Sequence, residues 1–369
     1  MVLNAKEFKE ACQTILFAID NKDVSLMTET LELVAENNTL NLNVTNREYY
    51  ARTKFTLSAP ENFKASVKAK TFLSLISKIT TDTIELNVKK NSLEIKANGK
   101  YDLPLIYNND KMMELPEIGL GTVTCTMDIN SSVLLSIAIN NSKELLRGGT
   151  AGRQPVQKDY YVDKQGAITF TSGACVNTFD LPQDIKILLS DKVVRLFKLF
   201  KSDNNVSFSM GQNPISNELV QTVVQFSTDK VIITAKLSDM GLISTVPVSA
   251  IRGMANKVYP YTMVLDKNQL LQTLNRIMIF TEDKVYGNFT FKNSSLTIQD
   301  FNGGSEETVT ASSESTNLSE YKMILDLKNF KLILDGCEDD YITICFGDNK
   351  AVVVKKQNIC DIIPEIKVA

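Results

Sequence analysis

The chain carries the sequence KAKTFLSLISKIT at residues 68–80, and stretches of the same character recur at residues 192–201 and 327–337. In each stretch apolar side chains return at intervals of three and four residues, the spacing of one face of an α-helix. A pattern that returns roughly every 120 residues predicts one structural unit present three times. The apolar positions are Phe72, Leu75, Ile76 and Ile79; Val193, Leu196, Phe197 and Phe200; and Phe330, Ile333, Leu334 and Cys337.

Positive charge concentrates on these stretches, which we call the first, second and third basic helices. They contain lysine and arginine but no acidic residue over 68–80, 192–201 and 327–334, although the whole chain has a net charge of -3. One such helix is more often a solvated face. Three of the same kind favour a surface that meets the phosphates of a nucleic acid. The cations predicted from charge to make these contacts are Lys70, Lys78, Arg195, Lys198 and Lys328.

The length of 369 residues fits two or three domains, and the repeat favours three. Each repeat is predicted to run helix, strands, helix, strands. Two helices cannot cover both faces of a sheet, so the predicted class is α+β with the helices on one side. Turn-forming residues predict a hairpin turn at 36–39 and domain boundaries near 114–121 and 252–256. The predicted domains are residues 1–120, 121–255 and 256–369.

Composition excludes several classes of function. The chain has no histidine, the usual acid–base group and a common metal ligand, although catalysis by carboxylates stays open. Its six cysteines form no Cys-x-x-Cys pair, which predicts buried thiols in a reducing compartment and no metal site. We expect no cofactor. No stretch resembles a signal peptide or a membrane span, so the prediction is a cytoplasmic protein.

Two local features can be interpreted either as binding sites or as ordinary surface loops. The loop at 147–153 contains three glycines but lacks the Gly-Lys-Ser/Thr ending of a phosphate-binding loop. The acidic clusters at 306–307 and 338–340 lack the ordered spacing of a calcium loop. The prediction for both acidic clusters is a solvated turn.

Four short motifs, in order along the chain, resemble the bacterial sliding clamp, the β subunit of the DNA polymerase III holoenzyme. Residues 40–48 are similar to the family's Leu-x-Leu-x-Ala-Thr-Asp-x-Glu, and residues 168–173 to its Val-Ala-Thr-Asp-Gly. Residues 235–237 are similar to its Ser-Lys-Leu, and residues 362–366 to its apolar Met-Pro-Met tail. The resemblance covers the whole chain.

The resemblance implies three clamp domains that form a half-ring, closed by a second copy as a head-to-tail homodimer. Such a ring surrounds duplex DNA without reading its sequence. It acts in DNA replication as a processivity factor, not as an enzyme, and tethers a polymerase through a clamp-binding peptide after a clamp loader has opened it. The alternative is a clamp-like scaffold for repair or for a phage- or plasmid-encoded polymerase.

The resemblance also implies site residues. Arg147 and Arg153 match a region that touches DNA. The matching positions of the partner-peptide groove are Thr171, Gly173, Val176, Val285, Phe330, Ile363, Pro364 and Ile366. Those of the dimer interface are Tyr101 and Leu103 on one subunit and Ile279, Phe280, Glu306 and Glu307 on the other. The chain departs from the family near the groove, where residues 174–176 replace His-Arg-Leu and a Gly-x-Phe-Pro-Asp-Tyr segment is missing from 241–248.

Overall fold

The computed structural model describes residues 1–20, 25–142, 159–170, 173–201, 204–214, 220–281, 285–313, 318–347 and 351–367. In these residues the order strand, helix, strands, helix, strands occurs three times. The helices pack on antiparallel sheets, which confirms the predicted α+β class. No helix within the described ranges is long and apolar enough to cross a membrane.

The first repeat contains the first basic helix. Its elements are β1 (Val2–Asn4), α1 (Ala5–Leu16), β2 (Thr30–Thr45), β3 (Tyr49–Lys68), α2 (Ala69–Lys78), β4 (Thr83–Val88), β5 (Ser92–Lys96), β6 (Lys100–Pro104), β7 (Tyr107–Asn108) and β8 (Lys111–Met112). The amide of Asn43 donates to Oε2 of Glu32 at 3.0 Å. A straight strand would separate these residues by about 35 Å, so β2 reverses direction within its length. Asn37 has a φ of 55° at the reversal, where the sequence predicts a turn.

The second repeat contains the second basic helix, α4. Its elements are β9 (Thr122–Asn130), α3 (Ser131–Ser136) with a π-helical turn (Ile137–Asn141), β10 (Asp159–Asp163), β11 (Gly166–Phe170), β12 (Ala174–Thr178), β13 (Lys186–Ser190), α4 (Asp191–Val194) with a 3₁₀ extension (Arg195–Phe200), β14 (Asn205–Pro214), β15 (Val220–Ser227), β16 (Val231–Lys236), a 3₁₀ turn (Met240–Ile243) and α5 (Val248–Asn256). The extension follows from the sequence, because cations recur every third residue from Lys192 to Lys201 with apolar pairs between them. A period of three is that of a 3₁₀-helix. It buries both residues of each pair and leaves the cations in one row.

The third repeat contains the third basic helix, α7. Its elements are β17 (Tyr261–Asp266), α6 (Lys267–Ile277) with a 3₁₀ turn (Met278–Phe280), β18 (Tyr286–Lys292), β19 (Ser295–Asp300), β20 (Glu306–Thr310), β21 (Tyr321–Asp326), α7 (Leu327–Asp335), β22 (Tyr341–Phe346), β23 (Ala351–Lys356) and β24 (Ile359–Pro364). Helix α7 begins at the N-cap Asp326, whose carboxylate accepts from the backbone N–H of Asn329 at 2.8 Å.

The chain divides into two compact units. The first comprises Met1–Leu135 and Lys192–Leu237, and the second comprises Ser136–Asp191 and Ser238–Ala369. The first holds a four-stranded sheet (β1-β4-β5-β6) and a six-stranded sheet (β2-β3-β16-β15-β14-β9); the second holds an eight-stranded sheet (β13-β10-β11-β12-β24-β23-β22-β17) and a four-stranded sheet (β20-β19-β18-β21). Since residues 121–255 contribute to both units, the division into three domains stays a prediction.

Candidate nucleic-acid and partner-binding surfaces

The apolar face of each basic helix is buried and most of its predicted DNA contacts are exposed. Lys70 and Lys78 on the first helix, and Lys198 on the second, are exposed and make no ion pair within the described residues. These ammonium groups can therefore meet a phosphate backbone without first breaking an internal contact. Arg147 and Arg153 lie outside the described residues.

The second basic helix differs, because two of its cations are already paired inside the first unit. Asp20 is only 5% exposed, and its Oδ2 lies 3.8 Å from Nη2 of Arg195 and 3.6 Å from Nζ of Lys192. Lys192 also lies 2.8 Å from Oε1 of Glu48. Arg195 is half-buried, so its position allows it both to stabilise the first unit and to contact a phosphate.

Tyr49 belongs to the same cluster. Its hydroxyl accepts from Nη2 of Arg195 at 3.2 Å and donates to the carbonyl of Ala18 at 2.6 Å. Burial raises the pKa of Tyr49 to about 12, against the opposing effect of Arg195, so the hydroxyl keeps its proton near neutral pH. Nothing in the sequence around residue 195 indicates this cluster, because Asp20 lies in another repeat.

The third basic helix presents one exposed cation, Lys328, in its first turn. Lys331 lies 3.8 Å from the carboxylate of Asp335 one turn later. Burial raises the pKa of the N-cap Asp326, which Lys328 and two backbone N–H groups counteract. Of the two lysines on this helix, Lys328 has the more exposed side chain.

Each unit has a sheet edge that carries the predicted dimer-interface residues. In the first unit β6 is the outer strand of its sheet, with Tyr101 and Leu103 half-buried. In the second unit β20 is the outer strand of its sheet and contains Glu306 and Glu307. An outer strand offers backbone N–H and C=O groups to another strand.

In the second unit, two neighbouring apolar side chains near β20 stand in solvent. Ile279 is 77% exposed and Phe280 is 55% exposed, in the 3₁₀ turn after α6. Arg276 in the same helix donates to both carboxylate oxygens of Glu307 at 2.7 Å. This contact joins the turn to β20, so the exposed apolar pair and the sheet edge are held together. Adjacent apolar side chains this exposed are typical of an interaction site.

Strand β6 is held in register by an ion cluster around Glu94. The carboxylate of Glu94 lies 2.7 Å from Nζ of Lys89 and 2.9 Å from Nζ of Lys100, and Lys89 also lies 2.9 Å from Asp102. Lys100 and Asp102 belong to β6. Hydrogen bonds from Lys89 and Lys100 lower the pKa of Glu94 from 4.5 to about 2.

We expect Glu94→Gln to remove a pH-dependent part of the stability of this sheet. A carboxylate whose folded pKa is depressed stabilises the fold above its unfolded pKa, and this contribution is lost as the pH falls from about 4.5 to about 2. The thermal midpoints of the wild type and the variant should therefore differ at pH 6 and converge towards pH 2. Differential scanning fluorimetry along a pH series measures both. A constant difference at every pH would contradict the assignment.

Four of the predicted groove residues divide between two apolar cores, and Gly173 lies beside Pro364. Ile363 and Phe330 belong to the apolar core that contains α7. Val176 belongs to a different core, together with Ile362. Successive residues of a strand point to opposite faces of a sheet, so Ile362 and Ile363 face opposite sides of β24. Val285 packs against the core of Ile363, whereas Thr171 lies outside the described residues.

The face on the Val176 side is the better candidate for a partner groove. Strands β12 and β24 pair there, with Ala174 opposite Ile362 and Val176 opposite Cys360. We call these four residues the seam face. The strands approach so closely that a Cβ at Gly173 would lie 2.2 Å from the carbonyl oxygen of Ile362. Residues 359–364 read Ile-Cys-Asp-Ile-Ile-Pro and do not alternate, so the local sequence does not indicate that Cys360 and Ile362 share this face.

Helix α5 (Val248–Asn256) packs on the seam face, and we call it the cover helix. Ala255 is buried in the same core, and the partly buried side chains of Val248, Ile251 and Met254 pack against it. The thiol of Cys360 donates to the carbonyl of Ala255 at 3.5 Å. The segment around this helix is where the chain departs from the sliding-clamp motif.

No protein-family model matches the chain, and no curated protein matches it. Solved structures match over its whole length. The DNA polymerase III subunit beta from Pseudomonas aeruginosa aligns with 100% of this chain and 99% of its own, at a TM-score of 0.78 and 16% identity. The chain has the fold of bacterial sliding clamps.

Two further sliding clamps align equally completely, with 100% of this chain and 99% of their own. The DNA polymerase sliding clamp from Bacillus subtilis has a TM-score of 0.76 at 14% identity. The sliding clamp from Bartonella birtlesii, solved bound to griselimycin, has a TM-score of 0.79 at 14% identity. The sliding-clamp fold predicted from four short motifs is thereby confirmed, at 14–16% identity.

Proposed function

We propose that this protein is a DNA sliding clamp, a processivity factor that encircles duplex DNA and tethers a replicative polymerase. The observation that carries the proposal is the full-length match to sliding clamps, since all three repeats align. A clamp needs a cationic surface without base-reading groups, a means of closure and a docking face. The described residues offer a candidate for each. The proposed protein is a scaffold, not an enzyme, and works in the cytoplasm with a clamp loader.

The proposed DNA contacts are sequence-independent. Exposed lysines give long-range attraction to phosphates but do not read bases, which suits a protein that slides. Lys70, Lys78, Lys198 and Lys328 are the cations best placed for this role. Arg195, Arg147 and Arg153 stay predictions of the same kind.

We expect alanine at all four of these lysines to weaken binding to duplex DNA. Each phosphate contact removed should lower the slope of log affinity against log salt by about 0.9, so the quadruple variant should lose up to about 3.6. Fluorescence anisotropy with a labelled duplex at several salt concentrations measures the slope. The matched control is alanine at Lys292 and Lys322, two lysines on strands of the second unit. A loss in the control that is equally large per lysine would show a general charge effect.

We propose that the ring closes as a head-to-tail homodimer, with β6 of one subunit adding to β20 of the other. The support is that both are outer strands and that an exposed apolar pair adjoins one of them. Two four-stranded sheets joined in this way would make an eight-stranded sheet like the one within the second unit. Three repeats per chain and six per ring then require two subunits.

Retention on DNA tests encirclement directly. The protein is loaded on nicked circular duplex DNA with the loader of its own organism, and the DNA is then cut once by a restriction enzyme. An encircling protein stays on the circle and slides off the linear product, whereas a protein bound by contacts alone stays on both. Gel filtration of the complexes measures retention. Equal retention before and after cutting would refute the proposal.

A second candidate function is a clamp-like scaffold for repair or for a phage- or plasmid-encoded polymerase. The observation that favours it is the altered groove, with Ala174-Cys175-Val176 in place of His-Arg-Leu and the cover helix on the seam face. The two functions differ in their polymerase partner. A longer product with the replicative polymerase of the host supports the first, and a longer product only with another polymerase supports the second.

A further inference from the structure

The cover helix lies across the join between β12 and β24. At one side Nη2 of Arg252 donates to Oδ1 of Asp163 at 2.5 Å and to the carbonyl of Gly166 at 3.5 Å, in the turn between β10 and β11. At the other side Nζ of Lys355 on β23 donates to the carbonyl of Lys257 at 3.1 Å. In sheet order β12 and β24 lie between these two anchors.

The apolar residues of the seam face are buried as the structure stands. Ala174, Val176 and Ile362 are each no more than 5% exposed. An extended peptide that anchors by apolar side chains needs these groups accessible. Any such peptide must therefore compete with the cover helix for the same area.

Few local interactions stabilise the cover helix. It has nine residues, begins after Pro247 without a side-chain cap, and has no acidic residue in its first turn. Helices of this length are marginal in water unless packing holds them. Gly253 in its interior weakens it further. Among its residues only Ala255 is fully buried, so its packing is shallow.

Arg252 is the main polar attachment of the helix. Its side chain and that of Asp163 are each 12% exposed, and the guanidinium Nε is buried with no hydrogen-bond partner in the described part of the chain. Burying this ion pair costs desolvation free energy, and the unpaired Nε–H adds to that cost. Breaking the pair would therefore remove the contact that positions the cover helix. We call the Arg252–Asp163 pair the latch, because it must break before the cover helix can leave the seam face.

We propose that the cover helix is an autoinhibitory lid: the seam face is closed at rest, and a partner peptide with apolar anchors binds by displacing Val248–Asn256. The inference rests on the proposed function, because it regulates the face to which the clamp-binding peptide is assigned. It adds that the free protein binds such peptides more weakly than the seam face alone would allow. Binding strength is set by the latch and by the helix propensity of the lid.

Three variants of the full chain test the lid. Arg252→Met removes the latch while keeping a long side chain and leaves Asp163 to be solvated in the open form. Gly253→Ala strengthens the helix, and a Cβ there would meet nothing within 4 Å, so the folded protein accommodates it. Lys292→Met is the matched control, a lysine 3.9 Å from Glu320 on the four-stranded sheet of the same unit.

Two measurements are made on each variant. Hydrogen–deuterium exchange of the amides in residues 248–256 reports opening of the lid without any ligand. Calorimetry with griselimycin, which is bound to the sliding clamps from Bartonella birtlesii and Pseudomonas aeruginosa, tests whether opening the lid exposes a binding face for this ligand. We expect Arg252→Met to speed exchange and to bind griselimycin at least tenfold more tightly. Gly253→Ala should slow exchange and bind about two- to fivefold more weakly, and Lys292→Met should match the wild type.

The outcomes separate the lid from the proposed function. If residues 248–256 exchange only with global unfolding in the wild type and in Arg252→Met, the lid is refuted, while tight griselimycin binding would still support a clamp. If Arg252→Met opens the lid but griselimycin affinity stays unchanged, the regulation is refuted because the ligand binds elsewhere. If no variant binds griselimycin although the lid opens, the assignment of the seam face as the partner groove fails, and the lid fails with it.

Discussion

Replacing both Ile279 and Phe280 by aspartate should convert the proposed homodimer into monomers. Both side chains stand largely in solvent beside the sheet edge at β20. Burying an apolar side chain of this size contributes about 1.5–3 kcal/mol. A head-to-tail dimer repeats the contact at two interfaces, so the double variant should lose about 6 kcal/mol or more, a weakening of the dimer by about 10⁴-fold.

Sedimentation velocity over a range of concentrations measures this loss. The control is Val258→Asp, since Val258 is 90% exposed in the same unit but belongs to no predicted interface. It introduces one charge and should leave the dimer intact. A urea unfolding curve for each variant shows that the monomer is folded. A wild-type protein that is already monomeric at micromolar concentration, or a double variant that remains dimeric, would contradict closure through this edge.

The local sequence predicts the elements of the fold well, because burial follows periodicity. Phe72 and Ile76, and Phe330 and Ile333, are buried as their helical spacing requires. The recurrence of this spacing three times suffices to indicate the repeat. Less well predicted is the helix type after Val194, because apolar intervals of three and four residues predict an α-helix whereas Arg195–Phe200 form a 3₁₀ extension.

The candidate sites could be predicted only as far as they are local. An exposed lysine on a basic helix follows from that helix alone, as at Lys70. The partner of Arg195 does not, because Asp20 belongs to a different repeat and only folding brings the two together. The groove shows the same limit in one strand. The motif match predicts Ile363 as a groove residue, and only the pairing of β24 with β12 shows that Ile362 shares the face of Val176.

Replacing Asp20 by alanine should be the most destabilising single change in the first unit among those discussed above. It would leave Lys192 and Arg195 facing each other in a partly buried site without the carboxylate that both contact. Removing one partner of a fully buried pair costs about 3–5 kcal/mol. The loss here should be smaller, because Lys192 and Arg195 are about a third exposed and Lys192 keeps its contact with Glu48. The amide of Asn46 would also lose its acceptor, 3.2 Å away. Urea unfolding measures the loss, and Asp20→Asn, which can keep an acceptor for Asn46, should lose less.

The contact with Asp20 raises the question of whether Arg195 stabilises the fold or binds DNA. If Arg195 stabilises the fold, Arg195→Ala should lower the free energy of unfolding. The slope of log DNA affinity against log salt should then stay close to that of the wild type. Lys198→Ala, one step along the same row of cations, should do the reverse. The double variant Asp20→Ala/Arg195→Ala should lose less stability than the sum of the single changes, because each single change removes the same contact. A salt slope that falls equally for both single variants, with no loss of stability for Arg195→Ala, would instead make Arg195 a DNA contact whose nearness to Asp20 contributes little.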